Sequence, residues 1–270
     1  MKRTGDLWRS VILGAFLIFM VLPVIATLVF SVSTRWDRSL WPEGYTLKWW
    51  INVTSNPLFV VTLKNSFLAS FATMLCLLLL VTPTAYWMKL RVPRAKPFVE
   101  IMTTFSFGVP GVVLALALIR FYSKVPLPLI NHPSILVAAC MVLSLPFMYR
   151  PVLNALEAID FRVLTEAAQS LGAGGWSILT EVIVPNIMSG IISGCLLVFS
   201  TVFAEYTLTN LLVGTRFKTF PIYLVEWTRQ DGRMASALAV VSFIVAWITS
   251  LLIIWITSKT GREAPHVAGR

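Results

Sequence analysis

Long uncharged stretches alternate along the chain with short clusters of charge. Arg9 and Arg35 bracket 25 residues without a charge, Lys64 and Lys89 bracket 24, and Glu100 and Arg120 bracket 19. Glu181 and Glu205 bracket 23, and Arg233 and Lys259 bracket 25. A sixth stretch, between Lys124 and Arg150, opens on Val-Pro-Leu-Pro-Leu-Ile-Asn-His-Pro at 125–133, a run of turn formers. About 20 apolar residues in a helix cross the hydrocarbon core of a bilayer. The pattern therefore predicts spans at about 10–32, 60–87, 98–121, 134–154, 187–212 and 235–258, with the fourth the shortest. Segments of about ten residues with alternating polarity, the mark of a membrane β-barrel, are not found.

Composition agrees with this reading. The chain has 270 residues, 57% hydrophobic and 13% charged, against about 25% charged in ordinary soluble domains. The fold class expected is an all-α membrane protein, with residues 1–270 forming a single transmembrane domain. The net charge of +10 raises the question of nucleic acid. The basic residues lie mainly between apolar stretches, where Lys and Arg anchor membrane proteins, so no nucleic-acid partner is expected. Cys76, Cys140 and Cys195 all fall inside spans, without metal-ligand spacing. Lys2, Arg3 and Arg9 precede an apolar run too long for a cleaved signal, so the first span is read as uncleaved, with Pro23 tolerated inside it.

Six spans put both termini on one side. The short loop after span two carries Lys89, Arg91, Arg94 and Lys96 and no acid, and it shares a side with the basic N-terminus. The positive-inside rule places that side in the cytoplasm. The outer segment 33–57 then holds four of the ten tryptophans, read as an interfacial aromatic belt.

The longest cytoplasmic segment, about 155–186, contains Glu166-Ala167-Ala168-Gln169-Ser170-Leu171-Gly172 and then Val182-Ile183-Val184-Pro185. Asp160 and Thr165 are plausible caps for a short helix here. Ala167, Ala168 and Leu171 favour helix, and Gly172 can end it in a left-handed turn. Gly174 and Gly175 loosen the next few residues, and a second helix from about Trp176 leads through Pro185 into the fifth span. Such a helix–turn–helix has too little apolar surface to be a domain, and something else must cover it.

This pattern resembles the EAA loop of ABC importer permeases: Glu-Ala-Ala, three residues, Gly, nine residues, then Ile-x-Leu-Pro. Glu166, Ala167, Ala168, Gly172 and Pro185 match in identity, while Val182 and Val184 replace Ile and Leu. Asn65-Ser66, the basic loop near Arg91, Val109-Pro110-Gly111 and Gly214 also look familiar, so the likeness covers most of the chain. It implies a type I ABC importer permease fold with cytoplasmic coupling helices. Glu166, Ala167, Ala168, Leu171, Gly172, Trp176 and Pro185 would contact an ATPase. It further implies a dimer of ATP-binding subunits, a second and different homologous permease, an extracytoplasmic solute-binding protein and a bacterial inner (cytoplasmic) membrane with lipid around a multi-pass chain. The subgroup it resembles handles spermidine and putrescine, thiamine, ferric ion or aminoethylphosphonate. A polyamine or related amine-bearing solute is the first expectation, and the other three remain alternatives. The chain has no G-x-x-x-x-G-K-[ST] loop, so ATP and Mg would belong to the partner ATPase and no cofactor or metal to this chain.

Candidate pathway residues are few. Glu205 is an acid within a predicted span, which marks a functional position by default. Tyr206, Phe203 and Pro110 join it as possible walls, and Gly108, Pro110 and Gly111 can break span three beside a cavity. Gly190-x-x-x-Gly194 fits close helix packing. Arg216, Lys218, Arg229, Asp231 and Arg233 make a charged outer segment. Two other classes compete. A secondary transporter would often show inverted repeats, and none is visible. An intramembrane enzyme would need a catalytic constellation, but His132 and His266 lie in a loop and the tail, and no H-E-x-x-H or G-x-S-x-G occurs.

Overall fold

Apolar runs become helices in a bilayer because every backbone N–H and C=O must be satisfied within its own segment. The computed structural model describes residues 2–37, 39–123 and 131–260; most of the expected turn at 125–133, and His266, lie outside them. Twelve helices follow in the described residues. They are α1 (Lys2–Ser31), α2 (Lys48–Thr54), α3 (Pro57–Arg91), α4 (Lys96–Gly108), α5 (Gly111–Tyr122) and α6 (Pro133–Glu157). They continue with α7 (Phe161–Ser170), α8 (Gly175–Asn186), α9 (Met188–Phe203), α10 (Thr207–Leu212), α11 (Phe220–Thr228) and α12 (Gly232–Thr260).

Four of these helices, α1, α3, α6 and α12, are long and apolar enough to cross a membrane alone. Two bent pairs supply the other spans: the Pro93–Gly108 segment with α5, bent by 96°, and α8 with α9, bent by 80°. Six spans are thus present if each bent pair counts as one. Span four is not the shortest as expected: α6 has 25 residues, while α9 has 16. Its start at Pro133 is well made, because Pro suits the first turn and His132 accepts a hydrogen bond from Ser134 N.

The chain divides into two compact units. One comprises 1–60 with 223–245. Here α1 presents apolar side chains, Phe16, Phe19 and Leu22 among them, on an exposed surface. The segment after α1 folds back as a small hairpin: Thr34 N donates to Gly44 O, Glu43 N to Arg35 O, and Thr46 N to Val32 O. Its tryptophans sit in different settings. Trp41 is exposed, but Trp49 Nε1 donates to Ser33 O at 2.8 Å and Trp50 Nε1 to Ser31 Oγ at 3.2 Å. Arg233 locks this unit. It donates to Thr34 O at 2.6 Å, pairs with Asp231 at 3.2 Å and lies 4.3 Å from the Trp49 ring centroid. Burial pushes the Asp231 carboxyl up, but hydrogen bonds from the Arg233 backbone N–H and guanidinium outweigh it and leave the pKa below the ordinary value. A depressed carboxyl pKa stabilises above its unfolded value, and that contribution is lost as pH falls through the folded one. Arg233→Ala is expected to cost about 1–2 kcal/mol and to speed amide exchange across the hairpin, read by hydrogen-exchange mass spectrometry.

The second unit comprises 61–222 with 246–270 and holds the main core. Helix α9 packs along α6 through Gly190 and Gly194. A Cβ on Gly190 would fall against Ala155 Cβ and 2.5 Å from Pro151 O; one on Gly194 would lie 2.8 Å from Met148 Sδ. The small-residue pair is therefore what lets the two backbones approach.

Candidate functional site

Helix α7 starts where Asp160 accepts a hydrogen bond from Val163 N at 3.3 Å. Asp160 is thus the cap, as expected. Thr165 is not: it is buried inside the helix, donates to Phe161 O at 2.6 Å and sits 3.0 Å from the buried Tyr86 hydroxyl of α3. The helix ends in a Schellman arrangement, with Ala173 N bonded to Ala168 O and Gly172 N to Gln169 O. Gly172 supplies the left-handed residue this closure needs, at φ +84°.

These anchors fix which face looks out. Phe161 and Thr165 are buried, with Leu164 and Ala168 packed against the core. Glu166, Ala167, Ser170 and Gly172 are exposed. So are three large apolar groups: Leu171 at 88%, Trp176 at 63% and Val163 at 58%. Of the expected coupling residues, only Ala168 turns partly inward. Trp176 leans on Trp87, with ring centroids 5.8 Å apart.

Helix α8 carries the second half of the motif. Its centre, Ile178–Ile183, is π-helical, and Ile178, Leu179 and Ile183 anchor it in the core. Pro185 removes one backbone donor, and the Asn186 amide donates to Val182 O at 2.8 Å. The 80° turn into α9 follows at Ile187. Pro185 itself is exposed.

A charged cluster that sequence reasoning did not single out holds the base of this loop. Lys89 at the end of α3 and Lys96 at the start of α4 both bind Glu157 at the end of α6, at 3.0 and 2.7 Å. Lys89 also lies 5.4 Å from the Phe161 ring centroid, at the root of α7. The only hint in the sequence was a basic loop without its own acid.

The pathway candidates fall at two helix breaks. Span three breaks at Val109-Pro110. Val109 is extended at ψ 111°, as the following proline ring favours, and Pro110 has its φ fixed at −61° and takes an extended ψ of 133°. Gly108 has open space around it, so proline and not glycine makes this break. Span five was expected to run to 212, but α9 stops at Phe203 and α10 starts afresh at Thr207. Half-buried Glu205 explains the restart: its Oε1 accepts from Leu208 N at 2.8 Å, and Thr209 Oγ1 donates to its carbonyl at 2.9 Å. The two breaks are neighbours. α10 packs on α5, and a Cβ on Gly111 would lie 4.0 Å from Leu208 Cγ. Tyr206 is half-buried beside Glu205. Phe203 instead joins a buried ring cluster with Phe67, Phe199 and Phe220. Nearby, Asn65 Nδ2 donates to Lys218 O at 2.8 Å, and Ser66 Oγ accepts from Phe220 N at 2.9 Å. Among the described residues no cluster of His, Cys, Asp and Glu is disposed to hold a metal.

Residues 81–262, which contain α7, the α8 turn and both halves of span five, match the family described as binding-protein-dependent transport system inner membrane component. The chain belongs to this family. It is a permease subunit of an ABC importer for a small solute, and not an enzyme. The spermidine/putrescine transport system permease protein PotB of Haemophilus influenzae is 28% identical over 223 residues, covering 77% of each chain. PotC of the same system in Escherichia coli is 25% identical over 258 residues, covering 92% of this chain and 94% of its own. In fold, the chain resembles a bacterial ABC transporter involved in alginate import, with a TM-score of 0.69 at 14% identity over 98% of this chain and 100% of that one. A chain of the MetNI methionine ABC transporter gives 0.58 at 18% identity over 76% and 99%. Membership sets aside the secondary-transporter and enzyme readings and places the protein in the inner membrane.

Proposed function

We propose that this chain forms one half of the pathway of an ATP-driven polyamine importer, and that α7 with the start of α8 is where a separate ATPase acts on it. The observation that carries the coupling reading is the outward face of α7. A ten-residue helix is held rigidly at Asp160, Thr165 and Gly172, yet Val163 and the adjoining Leu171 are bare, with Trp176 of α8 exposed beside Trp87. Exposed apolar groups on a fixed, polar-rimmed element fit a partner's groove. ATP binding would close the ATPase dimer, move α7 as a unit, and tilt α8 and α9 through the turn at Ile187. Both termini and α7 would face the cytoplasm, a second permease would complete the pathway, and a binding protein would deliver the solute outside.

A polyamine is favoured by what the relatives are named for and by the setting of Glu205. Its carboxylate lies where spans three and five both break, beside Tyr206, and such breaks are tolerated where they line a cavity. Glu205→Gln keeps an acceptor for Leu208 N but removes the charge. It is expected to raise the apparent KM for spermidine about tenfold, or ~1.4 kcal/mol, with normal subunit recovery. Equal loss of uptake and recovery would make Glu205 purely a helix cap.

The coupling reading is tested by Glu166→Lys. Glu166 is exposed, so the change should leave the fold intact. Co-purification of a P-loop ATPase with the variant is expected to fall at least about fivefold, ~1 kcal/mol. Unchanged recovery, with unchanged ATP-driven uptake, would contradict a docking role for this face.

A further inference from the structure

Between α4 and α6, one to two turns inside the Glu157 cluster, lies a polar cavity of about 330 Å³. Its walls are Glu100, Thr103, Thr104, Tyr149, Arg150 and Asn154, with Leu153 below. Beside it runs a second hollow lined by Pro97, Ile101 and Phe105, and the two share Glu100 and Thr104. Ile101 and Phe105 are 62% and 67% exposed. A polar chamber and an apolar groove thus flank the same two side chains of α4.

We infer that this pair of hollows is a phospholipid site, with the chamber holding a phosphoethanolamine headgroup and the groove an acyl chain. Charge decides the class. The chamber has one cation and one acid in its wall, Arg150 and Glu100. Arg150 donates to the neutral Thr104 hydroxyl at 3.2 Å, and Glu100 sits 3.6 Å from Lys96. A simple anion would meet Glu100, and a polyamine would meet Arg150. A zwitterion satisfies both, with its phosphate on Arg150 and its ammonium on Glu100. Guanidinium–phosphate contacts are strong because both groups are charged and the fork geometry matches.

Tyr149 closes the inner wall of the chamber: it is only 4% exposed, and its unpartnered hydroxyl is sealed from solvent. The depth agrees as well. Arg150 and Asn154 precede Glu157 by seven and three residues, which is about 5–10 Å along a helix. The headgroup layer of a bilayer has that thickness, about 5–7 Å on each side.

The choice among lipids follows. Phosphatidylglycerol offers Glu100 hydroxyl donors but no cation, and phosphatidylcholine a cation without an N–H, so phosphatidylethanolamine should bind best. The test is native mass spectrometry of the full chain with whatever subunits co-purify, delipidated and then given each lipid in turn. Phosphatidylethanolamine is expected to be retained several-fold over the other two. Glu100→Gln should erase that preference while still holding phosphatidylglycerol, and Arg150→Gln should reduce retention of both about tenfold. Equal retention of the three lipids by the unaltered protein would overturn the assignment, even if the variants failed to assemble. Displacement of lipid by soluble glycerophosphoethanolamine at equal concentration would also overturn it, since the groove would then contribute nothing. So would a cross-link from Ile101→Cys to a second permease chain, which would put protein and not lipid in the groove.

Discussion

Gly172→Val is expected to abolish ATP-driven uptake while leaving the protein inserted and folded in the membrane. Nothing lies within 4 Å of the position a Cβ would take, so the cost is not a clash. It comes from φ +84°, which an L-residue pays about 1–2 kcal/mol to adopt, and a β-branched one more. That is enough to unwind the closure formed by Ala173 N on Ala168 O and Gly172 N on Gln169 O. Leu171, the most exposed apolar group of the loop, would lose its fixed place, and a lever that is not rigid transmits little. Uptake in proteoliposomes should fall at least about tenfold, with membrane yield near normal. Gly172→Asn is the discriminating companion, because Asn tolerates the left-handed conformation. It should retain much of the activity. If Val and Asn behaved alike, backbone conformation at 172 would not be what matters.

Gly190→Leu should do the opposite, damaging the fold and not merely the coupling. The added Cβ would meet Ala155 Cβ and Pro151 O, and a backbone carbonyl cannot step aside. Overpacking of a close helix pair usually costs about 1–3 kcal/mol, and a backbone clash takes it to the top of that range or beyond. Folded protein recovered from membranes should drop severely, and the remainder should melt earlier. Gly194→Ala should be milder, since its nearest neighbour is the mobile Met148 Sδ, although Met148 Cα and O follow at 3.3 Å. Gly108→Ala, whose added Cβ would meet nothing within 4 Å, should change stability by less than about 0.5 kcal/mol. A thermal series in detergent ranks all three.

The spans were legible because charge is excluded from a bilayer core, and that rule acts on every residue at once. The same holds for α7, where Asp160, Gly172 and the alanines each act locally. The pieces that escaped depend on contacts between distant parts of the chain. The expected span overruns the end of α9 at Phe203 because Ala-Glu-Tyr-Thr-Leu-Thr-Asn-Leu-Leu at 204–212 reads as the end of the span with one acid in it, although it is more polar than the helix before it. What breaks it is Glu205 binding Leu208 N. Thr165 has the chemistry of a cap, but its partner Tyr86 is 79 residues away. The indole N–H groups of Trp49 and Trp50 go to Ser33 and Ser31, 16 and 19 residues away, which the sequence alone does not show. The motif residues mark the segment proposed to meet a partner; the bareness of Leu171 and Val163 could be read only once the buried face of α7 was known.

The most direct measurement is uptake of radiolabelled spermidine into proteoliposomes holding this chain with its co-purifying permease and ATPase, with ATP enclosed with the nucleotide sites and binding protein added outside. Accumulation that requires both ATP and the binding protein, and that Gly172→Val removes without loss of assembled complex, is the result expected. Accumulation without ATP, or undiminished in the Gly172→Val complex, would contradict the account.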